Sequence, residues 1–339
     1  MSETDQNVQQ EETNFQAGLN PYGEPKTEEP KDQEPEKKSG RRKKKEKEKK
    51  SLGAEILSWV LTLLCALVAA LLIRSVIFEP VRVDGQSMDD TLADKEIMLV
   101  SKYDYSSTWL CLPWQSDNAA QQAPRITIGN PNLLDIVICR YPARGAVNFV
   151  KRVVGMPGDT VELKEGYLYL NGEQVEAEKE LINSAYRVKG ASNGYEFGPY
   201  YVPKKGDTMT VSGSSSDIQL QINGVGWDRK KTCIVAKDED GKQLKIYNRK
   251  AKESRNGQQE QEIVVISYDG KEWTGQDQGE VIPTLTGKTF TVDDNYYFLM
   301  GDHRNNSNDS RNVGAVERSM IIGHVRRVVF PFSTWRGVK

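Results

Sequence analysis

The sequence predicts a mostly β protein. A polar tail and one transmembrane helix lead into a curved, barrel-like antiparallel β domain, which carries a small inserted β subdomain. Three observations predict this. Residues 56–73 form an apolar run without a single charge. The stretch before that run holds few apolar side chains. Beyond residue 79 the chain becomes short β-branched and aromatic runs bounded by Gly, Pro, Asn and Asp, with no second long segment of helical period.

Residues 1–36 are acidic and polar, and residues 41–50 read RRKKKEKEKK, eight basic and two acidic. Neither stretch can bury enough apolar surface to offset its ordering entropy, so residues 1–50 are expected to be a disordered, charged cytoplasmic tail. With its flanks, the apolar run makes segment 51–78 long enough to span a bilayer. The leader is longer than a signal-peptide n-region, and no small-x-small site follows the run, so the segment reads as an uncleaved signal anchor. Orientation follows from the basic residues: eight lie in 41–50, against Arg74 and Arg82 in 74–90. The expected topology is a single-pass protein of the plasma membrane with its N-terminus cytoplasmic and everything after Arg74 outside. Membrane lipid is an expected partner, because the basic segment is attracted to anionic headgroups.

Strands are expected at 81–83, 97–100, 136–139, 147–154, 160–163 and 167–170, then at 219–222, 244–248, 263–267, 290–292, 296–300 and 325–329. Turn signals separate the early ones, among them Pro157-Gly158-Asp159, Glu165-Gly166 and Asn171-Gly172. Two excursions leave this core. The first, 103–133, carries Trp109, Leu110, Leu112 and Trp114, which either dip into lipid headgroups or cap the β core. The second is rich in Gly, Ser, Lys and Asp. The domain reading is therefore 79–176 with 289–339 as the main β domain and 177–288 as an inserted subdomain.

A net charge of −2 gives no support for nucleic acid as a partner. Four cysteines and two histidines without a CxxC spacing argue against a zinc site, and no metal or cofactor is expected. Cys65 lies in the apolar run, so at most one disulfide can form among Cys111, Cys139 and Cys233.

Ser87 follows the apolar run by fourteen residues, which holds a candidate nucleophile near the membrane surface. A serine needs a base to take its proton. That base is His303, His324 or a deprotonated lysine. In Val147-Asn148-Phe149-Val150-Lys151-Arg152-Val153-Val154, alternation puts Val147, Phe149, Lys151 and Val153 on one face, an apolar face with one amine. Desolvation lowers the pKa of such an amine from its usual ~10.4. Taken alone, the alternation favours a lysine that snorkels from a half-buried strand.

Three segments in series resemble the bacterial type I signal peptidases, which use a Ser–Lys dyad. They are Gly85-Gln86-Ser87-Met88-Asp89-Asp90-Thr91-Leu92, then Asp135-Ile136-Val137-Ile138 with Phe149-Val150-Lys151-Arg152-Val153-Val154-Gly155-Met156-Pro157-Gly158-Asp159, and finally Met300-Gly301-Asp302-His303-Arg304-Asn305-Asn306-Ser307-Asn308-Asp309-Ser310-Arg311. The resemblance implies that Ser87 attacks the scissile carbonyl and that Lys151 is general base and then acid to the leaving amine. It implies an acyl-enzyme on Ser87 and an oxyanion held in part by the Ser87 N–H. Ser307 aligns with the serine that orients the lysine amine. Gly301, Asp302, Arg304, Asp309 and Arg311 align with the scaffold of the site, read as an ion-pair network that fixes Ser307 beside Lys151.

The sequence departs from the family pattern at three places. Asp90 stands where the family usually has Pro. Gly85 offers no side-chain hydroxyl to the oxyanion. His303 replaces the common Asn. A His303–Asp302 pair serving Ser87 is disfavoured, because adjacent residues on an extended strand face opposite ways.

The resemblance also implies the substrate: preprotein signal peptides, cut after small residues at −1 and −3. The peptide would bind as an added β-strand along 83–86 and 148–150. Val83, Gln86, Met88, Phe149 and Val150 are the substrate-binding candidates, and a monomer is the expected working unit. A tethered binding protein without catalysis is disfavoured, because Ser87, Lys151 and Ser307 are all present. Self-cleaving repressors share the Ser–Lys arrangement but carry a DNA-binding domain where this chain has an anchor.

Overall fold

The computed structural model describes residues 52–73, 77–108, 125–141, 147–187, 189, 194–214, 217–252 and 260–338. The expected tail 1–50, Arg74, Cys111 and the cluster Trp109 to Trp114 lie outside the described residues. The chain divides into two units, Met1–Leu57 and Ser58–Lys339, and every strand lies in the second. Helix α1 (Leu52–Leu72) covers the apolar run and buries none of its residues. It is long and apolar enough to cross a membrane.

The rest is mostly β. In chain order the strands are β1 (Phe78–Arg82), β2 (Ile97–Ser101), β3 (Ser106–Thr108), β4 (Arg125–Thr127), β5 (Ile136–Arg140), β6 (Asn148–Gly155), β7 (Thr160–Lys164), β8 (Tyr167–Leu170) and β9 (Glu173–Gln174). There follow β10 (Phe197–Tyr201), β11 (Thr208–Ser214), β12 (Asp217–Ile222), β13 (Val225–Trp227), β14 (Ile234–Asp238), β15 (Gln243–Lys252), β16 (Glu260–Tyr268) and β17 (Lys271–Thr274). The last are β18 (Thr289–Val292), β19 (Tyr296–Met300), β20 (Val316–Glu317), β21 (Ile321–Phe330) and β22 (Arg336–Gly337). Short helices α2 (Glu176–Leu181), α3 (Gln278–Leu285) and α4 (Ser310–Val313) punctuate them.

Among the described residues the strand pairs are all antiparallel. The first sheet runs β1-β2-β21-β5-β6-β19-β20, with β22 on β21. Its pairings shift register between Ile97 and Met98, between Leu99 and Val100, and between Ile321 and Gly323. Bulges of this kind bend a strand and raise its twist, and the sheet curls. They also explain why the buried residues Ile322, Val325 and Val328 of β21 recur at every third position rather than every second.

Alternation separates two cores across this sheet. Ile136 and Ile138 face a cluster with Met98, Val100 and Val325, and this cluster is capped by Val83, Met88 and Leu92 from the segment around Ser87. Val137 and Cys139 face the opposite side, with Val153, Tyr297, Leu299 and Ile321. A third core joins the sheet β10-β7-β8-β9 to the sheet β13-β12-β11-β18-β14-β15-β16-β17 through Val161, Leu168, Phe290 and Phe298. Strand β18 begins just past residue 288 and pairs with β11 and β14. The two hairpin signals read from the sequence hold their turns: Glu165-Gly166 and Asn171-Gly172 both take positive φ, the conformation of tight hairpin loops.

Candidate active site

Strand β1 ends at Arg82, and the chain turns through Gly85, Gln86 and Ser87 with Gly85 at φ +104°. The residues just beyond Ser87 anchor this turn. Met88 and Leu92 are buried in the core with Met98, Val100 and Val325, and the Leu92 and Thr91 N–H groups both donate to the Met88 carbonyl. Two greasy plugs and a helical turn thus fix the serine between them and β1. Asp90 stands at φ +74°, a conformation closed to proline, so the departure from the family's Pro goes with a different local backbone.

Lys151 comes from β6, paired with Val137 of β5. Its Nζ lies 2.7 Å from Ser87 Oγ and donates to the Val150 carbonyl at 2.9 Å. The residue is 2% exposed. A neutral amine carries two N–H bonds and one lone pair. With one N–H spent on Val150, the lone pair is free to accept the Ser87 hydroxyl proton. Burial lowers the pKa of Lys151, and the nearby Arg311 charge works in the same direction. Asp309 and Asp302 push the other way, but each is clasped by its own guanidinium. Cys139 shares this environment, and burial pushes its thiol up to about 12, so it stays uncharged.

The two clasped carboxylates tie the site together. Arg152, fully buried, makes a two-pronged bond to Asp302, Nε to Oδ1 at 2.8 Å and Nη2 to Oδ2 at 2.7 Å. Asp302 also accepts from Thr91 Oγ1 at 2.6 Å. One carboxylate therefore links the strand of the lysine to the turn of the serine. Asp309 is gripped by Arg311 at 2.8 and 2.7 Å and accepts the Gly301 N–H at 3.0 Å. Burial alone would raise Asp309, but Arg311 holds its pKa below the usual value. Arg304 donates to the Gly301 carbonyl at 3.1 Å. Gly301 has no room for a side chain, since a Cβ there would strike Ser307 Oγ and the Ser87 carbonyl.

A sequence profile described as signal peptidase, peptidase S26, matches residues 56–330. The chain belongs to the signal peptidase, peptidase S26, family. It is 34% identical over 175 residues to signal peptidase I P of Bacillus subtilis subsp. natto, covering 51% of this chain and 81% of that protein. It is 33% identical over 183 residues to signal peptidase I of Bacillus amyloliquefaciens, covering 52% and 83%. Against signal peptidase I of Pseudomonas aeruginosa it is 41% identical over 110 residues, 32% of this chain and 35% of that one. Membership in this peptidase family makes the chain a hydrolase.

The family boxes meet in space. Ser87, Lys151, Asp302, Arg304, Asp309 and Arg311 form one cluster, and Ser307 lies against Gly301. Ser307 Oγ is buried, and it is not among the partners of Lys151 Nζ, which are Ser87 and Val150. Val83, Met88, Phe149 and Val150 line a pocket of about 180 Å³ beside Ser87 and Lys151. Gln86 is not among its lining residues, and its carbonyl instead meets His303 Nδ1 at 3.2 Å. No His303–Asp302 pair serves Ser87: the side-chain partners of Asp302 are Arg152 and Thr91.

Several supporting residues were beyond sequence reasoning. Glu178 of α2 is fully buried and pairs with Arg304 at 2.6 Å and with Arg187 at 3.5 Å. Asn183 Nδ2 donates to Asp90 at 2.6 Å, and the Tyr186 ring stacks on His303 with centroids 4.0 Å apart. Nothing in the polar segment around these three residues marks them. Arg152 carried a signal, since the second family box contains it, but only its pairing with Asp302 reveals its task.

Proposed function

We propose that this chain is a membrane-bound serine endopeptidase that removes N-terminal signal peptides from exported preproteins through a Ser87–Lys151 dyad. The observation that carries the proposal is the 2.7 Å approach of a buried, desolvated amine to the serine hydroxyl. Lys151 accepts the Ser87 proton as Oγ attacks the carbonyl, then gives it to the departing amine, leaving an acyl-enzyme that water hydrolyses. The Ser87 N–H, which makes no hydrogen bond to another described residue, is the oxyanion donor. Ser307 is assigned to orienting the lysine amine, a role that rests on its place in the third family box beside Gly301.

Specificity follows from the slot. Strand β1 is the edge of the first sheet, and residues 148–150 of β6 pair only with β5 on one side. The curl brings both free edges to the pocket beside Ser87. An extended peptide adds between them as a strand. Val83, Met88, Phe149 and Val150 wall this space, and they would set the size of the side chains at −1 and −3.

The organisation belongs to the same proposal. Residues 1–50 are a cytoplasmic tail and 51–78 a single-pass anchor. Residues 79–176 and 289–339 form an extracytoplasmic catalytic domain, with 177–288 inserted. The working unit is a monomer at the lipid surface.

Purified full-length protein in detergent micelles is expected to convert a preprotein to its mature form, and Ser87→Ala or Lys151→Ala to abolish conversion. Cleavage retained in Lys151→Ala would overturn the dyad. Because the amine must be neutral and its pKa is lowered, kcat/KM is expected to climb with pH and level off below the usual lysine range. A flat profile from about pH 5 to 9 would count against a lysine base.

A further inference from the structure

We propose that His303 is a positioning residue that aims the Ser87 backbone N–H at the oxyanion, and that Tyr186, from the 177–288 segment, holds the His303 ring in place for it. The inference rests on Ser87 being the nucleophile. His303 grips the nucleophile turn twice. Its backbone N–H donates to the Ser87 carbonyl at 3.2 Å, and its Nδ1 lies 3.2 Å from the Gln86 carbonyl oxygen and 3.4 Å from Asp89 Oδ2. Both neighbours of Nδ1 are acceptors, so Nδ1 carries the hydrogen and donates.

The consequence follows from peptide geometry. The Gln86 carbonyl and the Ser87 N–H belong to one planar peptide unit, with the N–H opposite the C=O. Fixing one fixes the other. The His303 bond to Gln86 O therefore sets the direction of the N–H that Ser87 leaves unpaired.

The ring does not stand alone. Tyr186 stacks on it at 4.0 Å with 20° between the planes. Tyr186 sits in a short turn whose neighbour Asn183 donates to Asp90 at 2.6 Å. One side of His303 is Arg304, locked to buried Glu178 at 2.6 Å. The segment 178–186 thus braces the serine turn at Asp90 and, through two rings, at Gln86. The site needs the ring's donor and its position, not a proton shuttle: Nδ1 faces two acceptors, and neither is Ser87 Oγ.

The test uses the full-length protein in detergent, a preprotein substrate, and a peptide boronate ending in alanine as a tetrahedral mimic. His303→Leu keeps bulk and loses the donor. It is expected to lower kcat about tenfold, with KM little changed and boronate affinity reduced by a matching factor. His303→Asn places an amide N–H at the same bond distance from Cβ and is expected to recover most of the rate. Tyr186→Ala should move kcat in the same direction by a smaller factor, while Tyr186→Phe, which keeps the ring, restores it. Thermal unfolding of each variant is measured alongside.

Wild-type kcat in His303→Leu, with Ser87→Ala inactive, would overturn this inference and leave the dyad standing. Activity in Ser87→Ala would overturn the reading beneath it. Loss of an acidic limb of the pH profile in His303→Leu, without rescue by Asn, would make His303 a base and reject the positioning role. A kcat loss that tracks the fraction unfolded would mark a merely structural residue and reject it as well.

Discussion

The Lys151 amine sits where a charge is costly, and that cost has a measurable signature. In the unfolded chain the lysine titrates at its ordinary value, while in the fold burial moves its pKa down. Below the folded pKa both states hold the proton, but only the folded state carries the penalty of burying it. The penalty fades as pH rises past the folded value towards the unfolded one, so the contribution of Lys151 to wild-type stability improves with pH over that window. Lys151→Met removes the titration and fills the same space. It is expected to be inactive and to unfold at a higher Tm than wild type, with a margin that is widest near pH 6 and shrinks towards pH 10. Paired Tm series across that range check it, and a pH-independent margin would show an amine that is not desolvated. Active sites commonly trade stability for such groups.

At the scale of elements, the site is a meeting of β6, the serine turn and the segment after β19. Asp302 connects all three, and its removal leaves Arg152 buried without its main carboxylate. Breaking a buried pair from one side costs about 3–5 kcal/mol, so Asp302→Ala is expected to lose that much in urea unfolding. Thr91→Val removes one hydrogen bond and should cost nearer 1 kcal/mol. Gly301→Ala tests the close approach instead. Its Cβ would push on Ser307 and the Ser87 carbonyl, and activity should fall far more than stability does. The strands that carry these residues were legible in the sequence where alternation is strong: 136–139, 160–163, 167–170 and 296–300 match β5, β7, β8 and β19 within a residue. Strand β21 was seen only over 325–329, because its bulges break the alternation. Strands β11 and β14 escaped, since a Gly- and Ser-rich run and a short run ending in charge present no clean period. The approach of Lys151 to Ser87 was expected only through the family resemblance, since each lies in a box of its own while alternation alone favours a snorkelling lysine. The bracing of the site by Glu178, Asn183 and Tyr186 was not legible, because isolated contacts to residues some ninety or more positions away leave no local pattern.

At the scale of the whole molecule, the helix Leu52–Leu72 and the peptidase site answer the same physical problem. A signal peptide is itself apolar and held at a bilayer, so an enzyme free in solution meets it at bulk concentration. An enzyme tethered to the same surface meets it at an effective concentration set by the tether, which commonly raises apparent affinity by about 10²–10⁴. On this account the helix contributes location and not chemistry. None of its residues is buried, as expected of an element that leaves its side chains for lipid. Replacing α1 by an unrelated apolar helix of equal length should leave cleavage of a vesicle-embedded preprotein within about threefold of wild type. Removing it should lower kcat/KM for that substrate at least tenfold, while a short soluble peptide spanning the cut should be cleaved nearly as well as before. The comparison is made with all three proteins at equal concentration in vesicles of anionic lipid. An equal loss on the soluble peptide would mean that the helix supports the fold of the site, and tethering would then no longer explain why Ser87 follows an apolar span so closely in a peptidase of this family.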